Sequence, residues 1–264
     1  MREPFVRRVL VTNDDGIRAP GLAVLERIAH NLAEEVWVVA PEHDRSGAGQ
    51  SISMHLPLRL YAQDDSDRRF ALSGTPADCV LFALAQWFGE TPPDLVLSGV
   101  NCGANISDSV QYSGTVGAVL SAEHMGIPAM ALSQAFLDPE GIDWSPAVEL
   151  GEGVIRVLWD LGAELVPCWN INFPACASGD VRGLRQAHES SGSIQRTRLQ
   201  PGWDGRSLPY WWLGFERSSR HITDPGVDVS VLRNQSIAAT PLRRPIGFPS
   251  DIDTFPIGEL QQQH

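Results

Sequence analysis

The residues best able to do chemistry fall in four short polar segments: Asn13-Asp14-Asp15-Gly16, Glu42 to Ser51, Ser98 to Asn105, and Ser113 to Ala118. Adjacent carboxylates such as Asp14 and Asp15 repel each other, and at a crowded strand end a hard oxygen-seeking cation such as Mg²⁺ or Mn²⁺ relieves that repulsion. The plainer reading is an Asx turn with Gly16 at positive φ and one Asp capping the next helix. In the second segment Ser46 offers an oxygen ligand, and Arg45 or His43 offers charge to an anion. The same stretch also reads as a solvated surface loop, and its Gly47 and Gly49 do not make a dinucleotide fingerprint. Asn101 is a neutral oxygen ligand that adds no repulsion to a pair of Asp, although Asn101 and Asn105 also suit left-handed turns. Ser113-Gly114-Thr115 precedes a helical run. There, free N–H groups and two hydroxyls make a phosphate site without a lysine, or else an ordinary Ser/Thr N-cap with Thr115 at the helix start.

Positioning these segments requires strands that end beside one another. Val9 to Val11, Val36 to Ala40, Leu95 to Leu97 and Ala129 to Leu132 are continuously apolar, as in a parallel sheet buried on both faces. Between them Pro20 to Leu32 carries apolar residues at helical spacing. Thr75-Pro76-Ala77-Asp78 opens a second helix with Thr as N-cap and Pro at the first position, and Val116 to Met125 makes a third. Through about residue 135 this predicts an α/β chain, Rossmann-like and doubly wound around a mainly parallel sheet. In such sheets ligands sit beyond the carboxyl ends of the strands, where all four polar segments lie. Further on, Ala147 to Leu161 reads as a helix and Trp169 to Phe173 as a strand. Trp203 to Phe215 is aromatic and turn-rich, which suits a hairpin or a subunit contact. The alternative there is a local aromatic cluster folded back on the main body. The final Gln261 to His264 reads as a frayed tail.

Composition narrows the chemistry. All 20 basic residues are arginine, which excludes a Walker-type lysine, a Schiff-base lysine and a lysine general base. A net charge of −12 argues against nucleic-acid polymers and anionic membranes as partners. Cys79, Cys102, Cys168 and Cys176 lack CxxC spacing, and three lie in apolar or small-residue surroundings, so buried reduced thiols are expected. No stretch approaches the ~20 apolar residues of a membrane span, and no apolar signal region follows the first residues. These features predict a soluble, intracellular chain with reduced thiols.

A carboxylate pair, neutral oxygen ligands and an anion-binding helix end on one sheet edge describe a metal-dependent phosphate-ester hydrolase. The residues also carry a resemblance. Val11-Thr12-Asn13-Asp14-Asp15-Gly16, Ala40-Pro41 with Asp44-Arg45-Ser46-Gly47, Gly74 to Val80, Ser98-Gly99-Val100-Asn101 with Gly103 and Asn105, and Tyr112-Ser113-Gly114-Thr115-Val116 resemble the SurE (survival protein E) nucleotidases over about residues 8–135. Asn172-Phe173-Pro174, Thr223-Asp224 and Thr240-Pro241-Leu242 are similar to later markers of that family, whereas Asn234 to Ala239 departs from its usual Gly-Tyr-Val-Ser-like run.

The resemblance implies a single domain over 1–264, with a catalytic core at 1–135 and an oligomerisation arm in 136–264. It implies a divalent-metal 5′/3′-nucleotidase acting on nucleoside monophosphates as a homodimer or homotetramer. Its metal ligands fall on Asp14, Asp15, Ser46 and Asn101, and its phosphate-binding segment on Ser113, Gly114 and Thr115. Asp14 and Asp15 are the expected catalytic pair, with Asn13, Arg45 and Asn105 as further substrate contacts. An aspartyl-phosphate phosphatase would space its two Asp by one residue, whereas these are adjacent. A catalytically weak nucleotide-binding α/β module is the other alternative.

Overall fold

A computed structural model describes residues 4–63, 66–138, 140–161, 168–217 and 224–242. The expected tail at 261–264 and the marker residue Thr223 lie outside the described residues.

Val6–Thr12 forms β1, Ala33–Pro41 β2, Leu95–Cys102 β5, Ala129–Gln134 β6 and Cys168–Phe173 β7, with Leu60–Ala62 and Arg69–Leu72 as β3 and β4. Leu184–Gln186 forms β8 and Ile237–Pro241 β11, and together these strands make one nine-stranded sheet in the order β3-β4-β2-β1-β5-β6-β7-β11-β8. The central pairings β4/β2, β2/β1, β1/β5, β5/β6 and β6/β7 are parallel; β3 on β4 and β11 on β7 are antiparallel. The α/β doubly wound, mainly parallel fold expected from the apolar strands is the fold observed.

Helices cover both faces. Pro20–Leu32 (α1) and Ser145–Leu161 (α4) pack on the face that carries Val9, Val11, Leu95 and Leu97. Pro76–Ala83 (α2) and Gly114–His124 (α3) pack on the face of Leu10 and Val96. Successive strand residues point to opposite sides, so one unbroken apolar run serves two layers. The run of α1 follows its stripe Leu22, Leu25, Ile28, Ala29 and Leu32, all buried, behind Pro20 in the first turn. A reciprocal capping box starts α2: Asp78 N donates to Thr75 Oγ1 at 3.1 Å, and Thr75 N donates to Asp78 Oδ2 at 2.9 Å. Helix α3 begins at Gly114, two residues before the expected start, because Ser113 is its N-cap and accepts from Val116 N at 3.1 Å.

Beyond the sheet, Ile194–Trp203 (β9) and Pro209–Arg217 (β10) pair as an antiparallel hairpin. Asp204 shapes its turn by accepting from Arg206 N and Leu208 N at 2.8 and 2.9 Å. The aromatic segment is thus the end of β9, the turn and most of β10, and apart from Phe215 its aromatics are not folded back on the main body: Trp203, Trp211, Trp212 and Leu213 are more than half exposed. The base of the hairpin is fastened to the short helical turn Ser107–Tyr112. Asp108 accepts from Gly192 N, Ser193 Oγ and Ile194 N, and the Tyr112 and Phe215 rings lie 5.4 Å apart. Asp228–Arg233 (α5) packs on β11. All four cysteines are free, but only Cys79 and Cys168 are buried. Cys176 is half-buried and Cys102, at the carboxyl end of β5, is exposed.

Candidate active site

Register places the site. Thr12 pairs with Ser98 across β1 and β5, so the 13–16 turn lies beside the last residues of β5 and the loop that follows them. Asn13 is fully buried and builds the turn: its Nδ2 donates to Gly16 O at 2.9 Å and its Oδ1 accepts from Gly16 N at 3.2 Å. Both ends of that amide are therefore spent on Gly16, whose φ of +99° is the left-handed conformation that favours glycine. Neither aspartate caps α1, whose N-cap is Ala19 without a side-chain bond.

Asp14 instead lies on the N-terminus of α3. Thr115 Oγ1 donates to Asp14 Oδ1 at 2.6 Å, and the Thr115 backbone N–H is a second donor to this carboxylate. Gly114 is required by the approach, since a Cβ there would meet Asp14 Cβ at 2.8 Å. Burial in the sheet edge raises the Asp14 pKa above the ordinary carboxylate value, although the Thr115 donors and the helix end work against the rise. Asp15 accepts from Cys102 N at 3.0 Å. Its pKa is pushed up to about 6, first by burial and then by the charges of Asp14 and Asp44.

The 42–51 loop closes over this pair. Arg45 N donates to Asp14 O at 2.8 Å, Ser46 N to Asp44 Oδ1 at 2.6 Å, and Gly49 N to Tyr112 O at 3.0 Å. The Ser46 hydroxyl and the Arg45 guanidinium are brought to the rim, but both residues are exposed and neither side chain bonds to either carboxylate. Asn101 donates its amide N–H to Gly103 O at 2.7 Å, which leaves the carboxamide oxygen as its acceptor for a ligand.

Asn105 is buried behind Thr115. Its Nδ2 donates to Thr115 Oγ1 at 3.3 Å and to Ser133 Oγ at 2.9 Å, and its N–H donates to Asn172 Oδ1 at 2.8 Å. Asn170 and Asn172 in turn donate to Asn105 O at 2.8 and 3.1 Å. A continuous buried polar chain therefore runs from β7 through Asn105 and Thr115 to Asp14. In this conformation Asn105 is a support of Thr115.

Asp44 and the Asn170/Asn172 pair were missed in the sequence. Asp44 sits two residues before Ser46 in a loop otherwise read for the Ser46 hydroxyl, for Arg45 or His43 as anion contacts, and for its glycines. The alternation Asn170-Ile171-Asn172 in an otherwise apolar strand was the available signal for a polar network.

Two carboxylates held out of water side by side fit a hard dication, which takes oxygen ligands. Among the described residues no group of three His, Cys, Asp or Glu side chains is gathered to hold a metal. A cation at Asp14 and Asp15 would therefore complete its shell from neutral oxygens, for which the Asn101 carboxamide is placed and Ser46 is within the same loop cluster. Next to Asn101 opens a cleft of about 820 Å³ that runs between Asn105, Phe136 and the end of α5. A second cleft, of about 460 Å³, opens from Asp15 toward Trp144.

Comparison with known proteins points to one family. The family described as survival protein SurE matches residues 9–196. The 5′-nucleotidase SurE 1 of Burkholderia lata is 45% identical over 240 residues, 91% of this chain and 92% of that protein. The 5′-nucleotidase SurE of Beijerinckia indica subsp. indica is 46% identical over 242 residues, 89% of this chain and 90% of that one. The crystal structure of SurE from Aquifex aeolicus matches with a TM-score of 0.73 at 28% identity, covering 89% of this chain and 93% of that structure. On sequence, on fold and over most of its length, the chain belongs to the SurE family.

Proposed function

We propose that this chain is a phosphoric monoester hydrolase, a nucleotidase that releases phosphate from nucleoside 5′-monophosphates, and from 3′-monophosphates, with the help of one divalent cation, Mg²⁺ or Mn²⁺. The names of its relatives support the nucleotidase reading. The observation that carries it is the seat of Asp14 on the N-terminus of α3 with Asp15 beside it, both desolvated.

Asp14 and Asp15 hold the cation, with Asn101 and Ser46 as neutral ligands. When bound, the cation supplies a Lewis acid for the phosphoryl oxygens and lowers the pKa of a water. The chain's own part is positioning. Ser113 Oγ accepts from Val116 N, which leaves its hydroxyl proton free for a phosphate oxygen, and the Gly114 N–H points from the same helix end. Thr115 fixes the rotamer of Asp14, Asn105 fixes Thr115, and Asn13 shapes the turn. Arg45, exposed on the rim, is placed to meet the incoming anion.

The working unit is a homodimer or homotetramer of the single-domain chain, formed through the hairpin. Four contiguous large apolar residues standing in water, Tyr210 to Leu213, support this. Free cysteines and the net charge of −12 support a cytoplasmic protein without nucleic-acid or membrane partners.

Phosphate release from AMP, with Mn²⁺ or Mg²⁺ and then with EDTA, tests the reading. Release that stops with EDTA and returns with the metal is expected. Release indifferent to EDTA overturns the metal requirement, and no release from any nucleoside monophosphate overturns the nucleotidase.

A further inference from the structure

A third buried carboxylate stands apart from Asp14 and Asp15. Asp228, the first residue of α5, is 1% exposed. Its Oδ2 accepts from Ser107 N at 2.8 Å, and its Oδ1 accepts from Ser190 N at 3.1 Å, Ser190 Oγ at 2.6 Å and Val229 N at 2.7 Å. All of these donors are uncharged. Hydrogen bonds of this kind do little more than offset what a carboxylate loses on leaving water. What such a group supplies is fixed geometry between the segments it joins.

The geometry is unusual at Ser107, 121 residues away in sequence. Ser107 has a φ of +55°, a left-handed conformation that is unfavourable for a residue with a Cβ. Its own side chain does not compensate, because the Ser107 hydroxyl is buried without a hydrogen-bond partner. Among the described residues, the hold on Ser107 from outside its own turn is the bond from its N–H to Asp228. Ser107 opens the turn Ser107–Tyr112, which leads directly into Ser113, the N-cap of α3. The Ser113 N–H donates back into the turn, to Val110 O at 3.2 Å. Two residues before Ser107 stands Asn105, which donates to Thr115 Oγ1. The path of the chain at Ser107 therefore bears on both hydroxyls of the helix end.

We propose that Asp228 is a positioning residue for the phosphate-holding end of α3: by accepting from Ser107 N it keeps Ser107 left-handed and the following turn aimed so that Ser113 and Thr115 reach the site. Asp228 acts through the backbone of Ser107 and not on the substrate. Its other oxygen clasps Ser190, ahead of the hairpin, to the same point. The proposal rests on the nucleotidase reading for what the helix end holds.

Four full-length chains test it: wild type, Asp228→Asn, Ser107→Gly and the double variant. Asp228→Asn keeps the shape of the side chain, but whichever way the amide turns, its NH2 faces a donor. Ser107→Gly lets the backbone take the left-handed conformation unaided. Each chain is read with Mg²⁺ for kcat/KM on AMP and for affinity for inorganic phosphate, which needs no turnover. Asp228→Asn should lose about tenfold or more in both when residue 107 is serine, and no more than about threefold when Ser107→Gly is present. A similar loss in both backgrounds marks a merely structural residue and overturns the proposal, as does near-wild-type behaviour of Asp228→Asn. Ser190→Ala removes another donor to the same carboxylate and leaves the Ser107 bond. It should lower the unfolding temperature while kcat/KM stays within about twofold, and a loss of about tenfold there also overturns the proposal. If Asp228→Asn alone fails to fold by circular dichroism, the double variant decides: about threefold or less below Ser107→Gly is expected, and about tenfold below it overturns the proposal. A wild-type chain that binds phosphate but releases none from AMP refutes the nucleotidase reading, and phosphate affinity then judges Asp228 by itself. A wild-type chain that does neither refutes both.

Discussion

The Thr115 hydroxyl donates to Asp14 Oδ1 at 2.6 Å, joining residues 101 apart in sequence. One contact thereby ties the carboxylate turn after β1 to the first turn of α3, and it assigns different roles to two neighbouring hydroxyls. Ser113 caps the helix; Thr115 holds the carboxylate.

Removing the donor should therefore show in catalysis. A hydrogen bond to a charged group is worth about 1.5–3 kcal/mol. Thr115→Val should lower kcat on AMP by about tenfold or more, and Thr115→Ser, which keeps the hydroxyl, should restore most of it. Ser113→Ala should raise KM for AMP through the lost phosphate donor and also lower unfolding stability by about 1 kcal/mol through the lost cap. Steady-state kinetics beside thermal unfolding of the three variants checks the division; equal kinetics for Val and Ser at position 115 would refute it.

Asp14→Asn halves the anionic charge of the pair and should lower turnover about 100-fold or more at saturating Mn²⁺. A purified variant with near-wild-type kcat would show that Asp14 does not carry the reaction.

Stability should move in the opposite direction. The pKa of Asp15 is pushed up to about 6 in the folded chain from a reference of 3.8, so the folded state holds its proton more tightly than the unfolded state does. The metal-free chain is then favoured below about pH 4 and loses that stability as pH rises through about 6. Asp15→Asn removes the ionisation and can still accept from Cys102 N. In EDTA at pH 7.5 it should be more stable than wild type by about 1 kcal/mol, after allowance for partial exposure of the group. The gap should vanish near pH 4. Thermal unfolding across pH measures it, and an unchanged gap from pH 4 to 7.5 would count against the assignment.

For the hairpin, light scattering at micromolar concentration should give a dimer or tetramer mass. Replacing Trp211 and Trp212 with Glu should shift it toward the monomer without changing the circular dichroism. A monomer mass for the wild-type chain would remove the assembly proposal.

Much of the architecture was legible because burial writes it into the sequence. The stripe of α1 gave both of its ends at Pro20 and Leu32, and Thr75-Pro76 with Asp78 gave the start of α2 through its capping chemistry. Strands β3, β4, β8 and β11 were not legible: each is five residues or fewer, too short for an apolar period to declare itself. β9 was hidden for another reason. Neither of its faces meets the core, so Gln195 to Gln200 alternates nothing. At the site, residue types pointed to the carboxylates and the helix end, but types cannot say where a hydroxyl points. Thr115 read as a phosphate donor or a cap, and Asn13 and Asn105 as substrate contacts, because their buried partners come from Asp14, Gly16, Ser133 and Asn172.

The order of strands has a consequence in time. Asp14 and Asp15 emerge first from the ribosome, yet their donors, Cys102 N and Thr115 Oγ1, lie 87 and 101 residues downstream. Until β5 has paired with β1 and α3 has docked, the two carboxylates remain hydrated, and the work of drying them falls on a step that closes a long loop. Such distant parallel pairings form slowly. The nascent protein therefore has no functional fragment: shortened anywhere before the end of α3, it keeps its acidic residues but has nowhere to put them.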